Sequence, residues 1–128
     1  MDNRDSLIKS ILPQIPTSVE DATSVEERFQ NSVLRPILKL QHDLLCTVFL
    51  TSDLVKRSNF NQKDGTQKKN LIVQHLKTNH KLKSHILHVV SSFMSIEEYM
   101  HYHENYSSYN KRIISMATHR LIDGLIED

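Results

Sequence analysis

The sequence has 128 residues, a formal net charge of +1, one cysteine, two glycines and no tryptophan. Rossmann folds, P-loops and β-barrels need glycine at tight turns and close backbone approaches, so this composition argues against all three and favours one all-α domain over residues 1–128. A charged start argues against a signal peptide, and no stretch approaches the roughly 20 apolar residues of a membrane span, so we expect a soluble cytoplasmic protein.

The first 23 residues predict a short helix followed by a linker. Apolar residues recur at helical spacing over about 4–12, and Pro13 and Pro16 end that pattern. Residues 24–128 are then expected to form the bundle itself.

A second helical pattern runs from Ser24 to Arg57, and Pro36 lies inside it. Ser24 and Glu27 form a capping box, which predicts a helix start at this point. Pro36 lacks an amide for the helical hydrogen bond, its ring crowds the preceding turn, and Arg35 is pushed away from the α region. We therefore predict a break or sharp kink at Arg35-Pro36, with the proline in the first turn of a new helix.

The helix after this break is apolar on two sides. A broad arc carries Ile37, Leu38, Leu44, Leu45, Val48, Phe49 and Val55, and a second arc carries Leu40, Leu50 and Leu54. Such a helix either lies at the centre of a bundle or is half covered by another chain. We therefore expect a non-catalytic protein that acts through helix-mediated association, as a homo-oligomer or with a helical partner.

The segment after a polar loop at 57–66 predicts two helices in place of one. Its apolar stripe continues to Phe93, but Asn79 and Lys83 fall on the same stripe. This conflict predicts a division near Thr78-Asn79, with one of these two residues as the cap of the second helix.

The last part of the chain predicts two more helices. Ser95 and Glu98 form a second capping box, and the final helix is expected to follow Ser107 or Ser108. The residues predicted to face inward after the capping box are Ile96, Tyr99, Met100 and His103. In total, five to seven helices are expected, arranged as an irregular or up-and-down bundle.

Glu98 and His101 have the Glu-x-x-His spacing found in di-metal helical bundles. Those sites use two such motifs and two further glutamates, and no other histidine here follows a glutamate by three residues. A solvated pair is the favoured interpretation, so we predict no metal and no cofactor, and Glu98 and His101 are only weak candidate ligands.

A group of polar residues, Arg35, Gln41 and His42, lies at the start of the helix after the break. Gln41 interrupts the apolar arc, so it either pairs with a neighbouring helix or helps to line a small polar pocket. The pocket gives the alternative function, a ligand-binding or enzymatic bundle, with no catalytic residue assigned.

Residues 56–88 are strongly basic, and Lys77, Lys81 and His88 are expected to share one helical face. Such a face could contact phosphates. However, the pI is only about 7.9 and the face carries no arginine for base recognition. Binding of nucleic acid is therefore the third function considered, and we do not expect it.

Three runs of the sequence are similar to a family of short, uncharacterised bacterial helical proteins. The runs are Glu26 to Asn31, Leu34 to Gln41 and Asn110 to Ile113. Members of that family often carry an automatic glyoxalase label, so the resemblance implies a bacterial origin and that activity. Because glyoxalase I enzymes place their metal ligands on the strands of βαβββ units and this sequence predicts no strands, no catalytic residue is assigned from the resemblance.

Overall fold

A computed structural model describes residues 2–13 and 24–126, which form α-helices joined by short turns. The helices are α1 (Asp2–Ile11), α2 (Val25–Phe29), α3 (Arg35–Leu40), α4 (His42–Thr51), α5 (Asp53–Arg57), α6 (Gly65–Thr78), α7 (His80–Ser91), α8 (Ile96–Glu104) and α9 (Tyr106–Leu125). The described ranges contain no strand, so the predicted all-α bundle is confirmed. None of the helices in these ranges is long and apolar enough to cross a membrane. Most of the predicted linker, from residue 14 to 23, lies outside the described residues.

The core is built around α9, which packs against α4, α6, α7 and α8. The inward stripe of α9 consists of Tyr109, Ile113, Ala117 and Leu121, which are all buried as their spacing predicts. Its fully buried neighbours are Leu34, Ile37, Leu38, Leu45, Phe49, Ile72, Leu76, Leu82, Ile86 and Met94. Removing each such side chain from water contributes about 1.5–3 kcal/mol to the free energy of unfolding, so this single core is the main source of stability.

The predicted interruption at Arg35-Pro36 takes the form of a π-helical turn, Gln30–Leu34, that joins α2 to α3. The backbone stays in the right-handed helical region, and the Arg35 N–H donates to the Gln30 carbonyl, five residues back. The wider turn ends just before Pro36, which then occupies the first turn of α3. A proline is tolerated there because the first N–H groups of a helix have no intrahelical partner.

Two further interruptions, at Gln41 and Ser52, were not predicted. Gln41 (φ −91°, ψ 7°) separates α3 from α4, and Ser52, in an extended conformation (ψ 133°), separates α4 from α5. With the continuous stretch from α2 to α3 counted as one, the described residues therefore form eight helices, where the sequence predicted five to seven.

These interruptions also change which residues of the central helix face outward. Leu44, predicted to face the core, is 46% exposed, because the turn at Gln41 alters the phase of α4 relative to α3. Leu50, from the predicted second arc, is half-buried and packs against the core. The other two members of that arc, Leu40 and Leu54, are exposed.

The predicted division between α6 and α7 is confirmed, with Asn79 as the cap. The Asn79 Oδ1 accepts a hydrogen bond from the Leu82 N–H at 3.2 Å. The amide nitrogen therefore faces His75 Nδ1 at 3.2 Å and the Ser52 Oγ at 3.4 Å. Burial lowers the pKa of His75, which favours the neutral ring that can accept from the amide.

Helix α1 is attached to the bundle through Arg4. Its guanidinium donates to the Met94 carbonyl at 2.9 Å and to the Ser92 carbonyl at 2.7 Å, at the C-terminal end of α7. Carbonyls at a helix end lack intrahelical partners and carry partial negative charge, so a cation is well placed there. Ile8, which is buried, adds an apolar contact from the same helix.

Both predicted capping positions are present. The Ser24 Oγ accepts from the Glu27 N–H at 3.1 Å and begins α2. At α8 the box is complete, because the Ser95 Oγ accepts from the Glu98 N–H at 3.1 Å while Glu98 Oε1 accepts from the Ser95 N–H at 2.8 Å. Helix α9 begins slightly earlier than predicted, at Tyr106.

Candidate functional site: the α8 face and the basic groove

Helix α8 is turned the opposite way from the sequence prediction. Tyr102 is buried, and His101 is half-buried on the same side. The four residues predicted to face inward, Ile96, Tyr99, Met100 and His103, are all exposed, with Tyr99 at 44% and Met100 at 64%. We call these four residues, with the exposed Tyr106 at the start of α9, the α8 face.

The reason for this orientation is a polar aromatic cluster on the inner side of α8. The Tyr102 hydroxyl donates to Asn110 Oδ1, and His101 Nε2 lies 2.7 Å from the Tyr109 hydroxyl. The ring of Phe29 packs against His101 and Tyr109, with ring centroids 5.0 and 4.6 Å apart. Burial raises the pKa of both tyrosines, so both hydroxyls stay protonated. These contacts fix which side of α8 meets the bundle.

The aromatic rings of the α8 face are stacked on one another. The Tyr99 and His103 rings lie 6.1 Å apart at an interplanar angle of 16°, and the His103 and Tyr106 rings lie 5.9 Å apart at 24°. Tyrosine and methionine are enriched at the cores of protein interfaces, where rigid aromatic rings lose little entropy on binding. Exposed Glu97 and Glu104 lie along one flank of this surface. The α8 face is thus an ordered apolar patch with an acidic edge.

A groove of about 550 Å³ lies between α6, α7 and α9. Its floor is apolar and consists of Val73, Leu76, Leu87 and Ile114, and its basic residues are Lys77, Lys83, Lys111 and His119. Asn110, Ser115 and Thr118 complete the lining, and no acidic residue is found in it within the described part of the chain. We call this feature the basic groove.

The charges of the basic groove are not neutralised within the described ranges. Lys83 Nζ donates to the Lys77 carbonyl at 3.5 Å, and no carboxylate there lies within salt-bridge distance of Lys77, Lys83 or Lys111. A shallower depression extends the positive surface to Arg112, whose guanidinium donates to Gln30 Oε1 at 2.8 Å. The groove therefore combines an apolar floor with unpaired positive charge.

The residues of the predicted basic face do not share one surface. The break at Asn79 separates Lys77, which lines the basic groove, from Lys81, which lies on the other flank of α7 beside α4. His88 is exposed on α7 and lies on the same flank as Lys81. Local sequence patterns offer no reason to select Lys111, because the other lysines of the groove, Lys77 and Lys83, lie more than 20 residues away in the chain.

The predicted polar pocket is not assembled from its three residues. Gln41 Nε2 donates to the Val89 carbonyl of α7 at 3.4 Å. Gln41 therefore pairs with a neighbouring helix, which is one of the two alternatives that the sequence left open. Arg35 is exposed near Arg120, and burial together with the charge of Arg35 lowers the pKa of Arg120. Of the three residues, only His42 lines the depression of about 290 Å³ in this region.

His42 instead meets Cys46 where α9 approaches α4. His42 Nε2 lies 3.9 Å from the Cys46 Sγ, and a Cβ at Gly124 would come within 2.8 Å of His42 Nε2. The glycine is therefore what allows this close approach. Burial and the nearby Asp43 raise the pKa of the Cys46 thiol, which disfavours the thiolate that a nucleophile needs.

Glu98 and His101, the weak metal candidates, are both occupied by structural contacts. Glu98 completes the capping box, and His101 bonds with Tyr109. The described residues contain no group of three or more His, Cys, Asp or Glu side chains that could hold a metal ion.

Comparisons with known proteins identify no relative of this chain. No protein-family model, no curated protein and no solved structure matches the chain. The bacterial origin and glyoxalase activity implied by the sequence resemblance therefore receive no support from these comparisons.

Proposed function

We propose that this protein is a non-catalytic association module whose α8 face binds another protein chain. The observation that carries the proposal is the orientation of α8. Its inner side is fixed by hydrogen bonds of Tyr102 and His101, which leaves an apolar face of Tyr99 and Met100 directed at solvent. Contiguous exposed apolar surface rimmed by polar residues is typical of protein interaction sites.

The charges around the α8 face favour a protein partner over nucleic acid. Stacked aromatic rings also occur in proteins that bind single-stranded nucleic acid, but there they lie in positively charged grooves. Here the flanking residues include Glu97 and Glu104, which would repel phosphates. An apolar helical surface with spacing i, i+3, i+4 and i+7 is the pattern that helix-in-groove binding uses.

The test is a double variant, Tyr99→Ser with Met100→Ser, examined for self-association by sedimentation velocity. Because truncation of aromatic anchors at an interface centre typically costs 2 kcal/mol or more, we expect the dissociation constant to rise by roughly thirtyfold or more. Both positions are exposed, so the thermal midpoint and the helical circular dichroism should stay nearly unchanged.

A matched control is the double variant Leu40→Ser with Leu54→Ser. These residues are exposed apolar side chains of the central helix, and they belong to the surface that the sequence predicted for association. We expect this control to associate as the wild type does. Loss of association in the control, with none in the α8 variant, would contradict the proposal.

A further inference from the structure

We propose that the basic groove receives the α8 face of a second copy of this chain. The inference rests on the proposed function and names the partner. It concerns two surfaces that the described residues leave uncovered, an apolar helix face with an acidic edge and an apolar groove with a basic rim.

The charges of the two surfaces are complementary. Lys77, Lys83 and Lys111 lie at the groove without a carboxylate partner in the described chain. Glu97 and Glu104 lie along the edge of the α8 face and are exposed. Opposite charges across an interface steer the encounter and fix the register, whereas like charges exclude wrong partners.

The apolar parts of the α8 face and of the basic groove are also complementary. The α8 face offers side chains at the spacing of a helix that binds in a groove. Its most exposed apolar member, Met100, is unbranched and flexible, which suits it to an irregular apolar floor such as that formed by Leu87 and Ile114. Tyr99 provides a rigid ring beside it, with a hydroxyl that can remain at the wet rim.

The size of the surfaces favours a reciprocal arrangement. Helix α8 has nine residues and is therefore about 14 Å long, so a single contact along it falls short of the roughly 800 Å² per partner of a standard stable interface. The two surfaces adjoin on α9, because Tyr106 of the α8 face lies one helical turn before Asn110, which lines the groove. In a twofold dimer, the α8 face of each copy lies in the basic groove of the other copy, so the interface contains both surfaces twice.

Charge reversal on each side tests this arrangement. One variant carries Lys77→Glu and Lys111→Glu, and the other carries Glu97→Lys and Glu104→Lys. Each variant alone places like charges at both contacts of a homodimer, so we expect its dissociation constant to rise at least tenfold at low salt. A mixture of the two variants restores opposite charges at both contacts, so we expect it to form a 1:1 heterodimer, measured by native mass spectrometry.

The matched control reverses two lysines outside the groove, Lys56→Glu and Lys81→Glu. Both are exposed, and Lys81 lies on the opposite flank of α7 from the groove. We expect this variant to dimerise as the wild type does.

Three different results would overturn the inference. If the groove variant dimerises normally while Tyr99→Ser with Met100→Ser does not, the groove is not the partner surface, although the proposed function stands. If the mixture of charge variants stays monomeric while both fold with unchanged helical content, the pairing of α8 with the groove is wrong. Normal dimers from both the groove and the α8 variants would overturn the proposed function as well.

Discussion

At the scale of single residues, Asn79 shows how one buried side chain joins several helices. It is 5% exposed, and each of its polar groups has a partner in α5, α6 or α7 or at their ends. The sequence predicted its role as a cap, because a polar residue interrupted an apolar stripe at a plausible helix start. The contact with His75 is local, since His75 lies one turn earlier on α6, whereas the contact with Ser52 could not be predicted in the same way, because it depends on how the start of α5 approaches α6.

Replacing Asn79 with alanine removes the cap and leaves the Leu82 N–H and the other partners unsatisfied. We expect the free energy of unfolding to fall by about 1–3 kcal/mol, measured by urea denaturation. Asn105→Ala is the matched control, because Asn105 precedes α9, is exposed and makes no side-chain capping bond. We expect the free energy of unfolding of the Asn105→Ala variant to change by no more than about 0.5 kcal/mol. Equal losses in the two variants would show that the contacts of Asn79 are not what stabilises the junction.

At the scale of helices, the capped starts were more predictable than the orientations, and only the interruptions marked by Pro36 and Asn79 were predicted. Ser95 and Glu98 fixed the start of α8, because a capping box depends only on local spacing. The predicted orientation of α8 was wrong. The apolar pattern favoured Met100 as an inward residue, whereas Tyr102 and His101 face inward because they form hydrogen bonds with partners that only the folded chain brings close. A proline likewise predicts an interruption but not its form, which here is a π-helical turn.

Helix α1 makes its polar contacts with the rest of the bundle mainly through Arg4, and Asp5 adds one longer contact by accepting from the Ile96 N–H at 3.4 Å. Removing the two charge-assisted hydrogen bonds of Arg4 in Arg4→Ala should let α1 open more often. We expect amide hydrogen exchange in α1 to accelerate by roughly threefold to tenfold, with α9 unchanged. Lys9→Ala, on the exposed side of the same helix, is the control and should leave exchange in α1 as it is.

At the scale of the whole molecule, the fold class and the helix-rich core followed from composition and periodicity. The location of the proposed interaction surface did not. Association was predicted from Leu40, Leu50 and Leu54, yet Leu50 packs against the core. The basic groove was missed, because it brings Lys77 and Lys83 together with Lys111 from a distant helix. Such surfaces arise from helix packing, which a local pattern does not contain.

We propose that the α8 face associates with a second copy of the chain. Sedimentation equilibrium of the untagged wild-type protein over about a hundredfold range of concentration tests it most directly, because the mass of a reversible dimer depends on concentration. We expect a mass that rises from the monomer value and levels off at twice that value. A mass that stays at the monomer value throughout, or that keeps growing beyond the dimer, would contradict it.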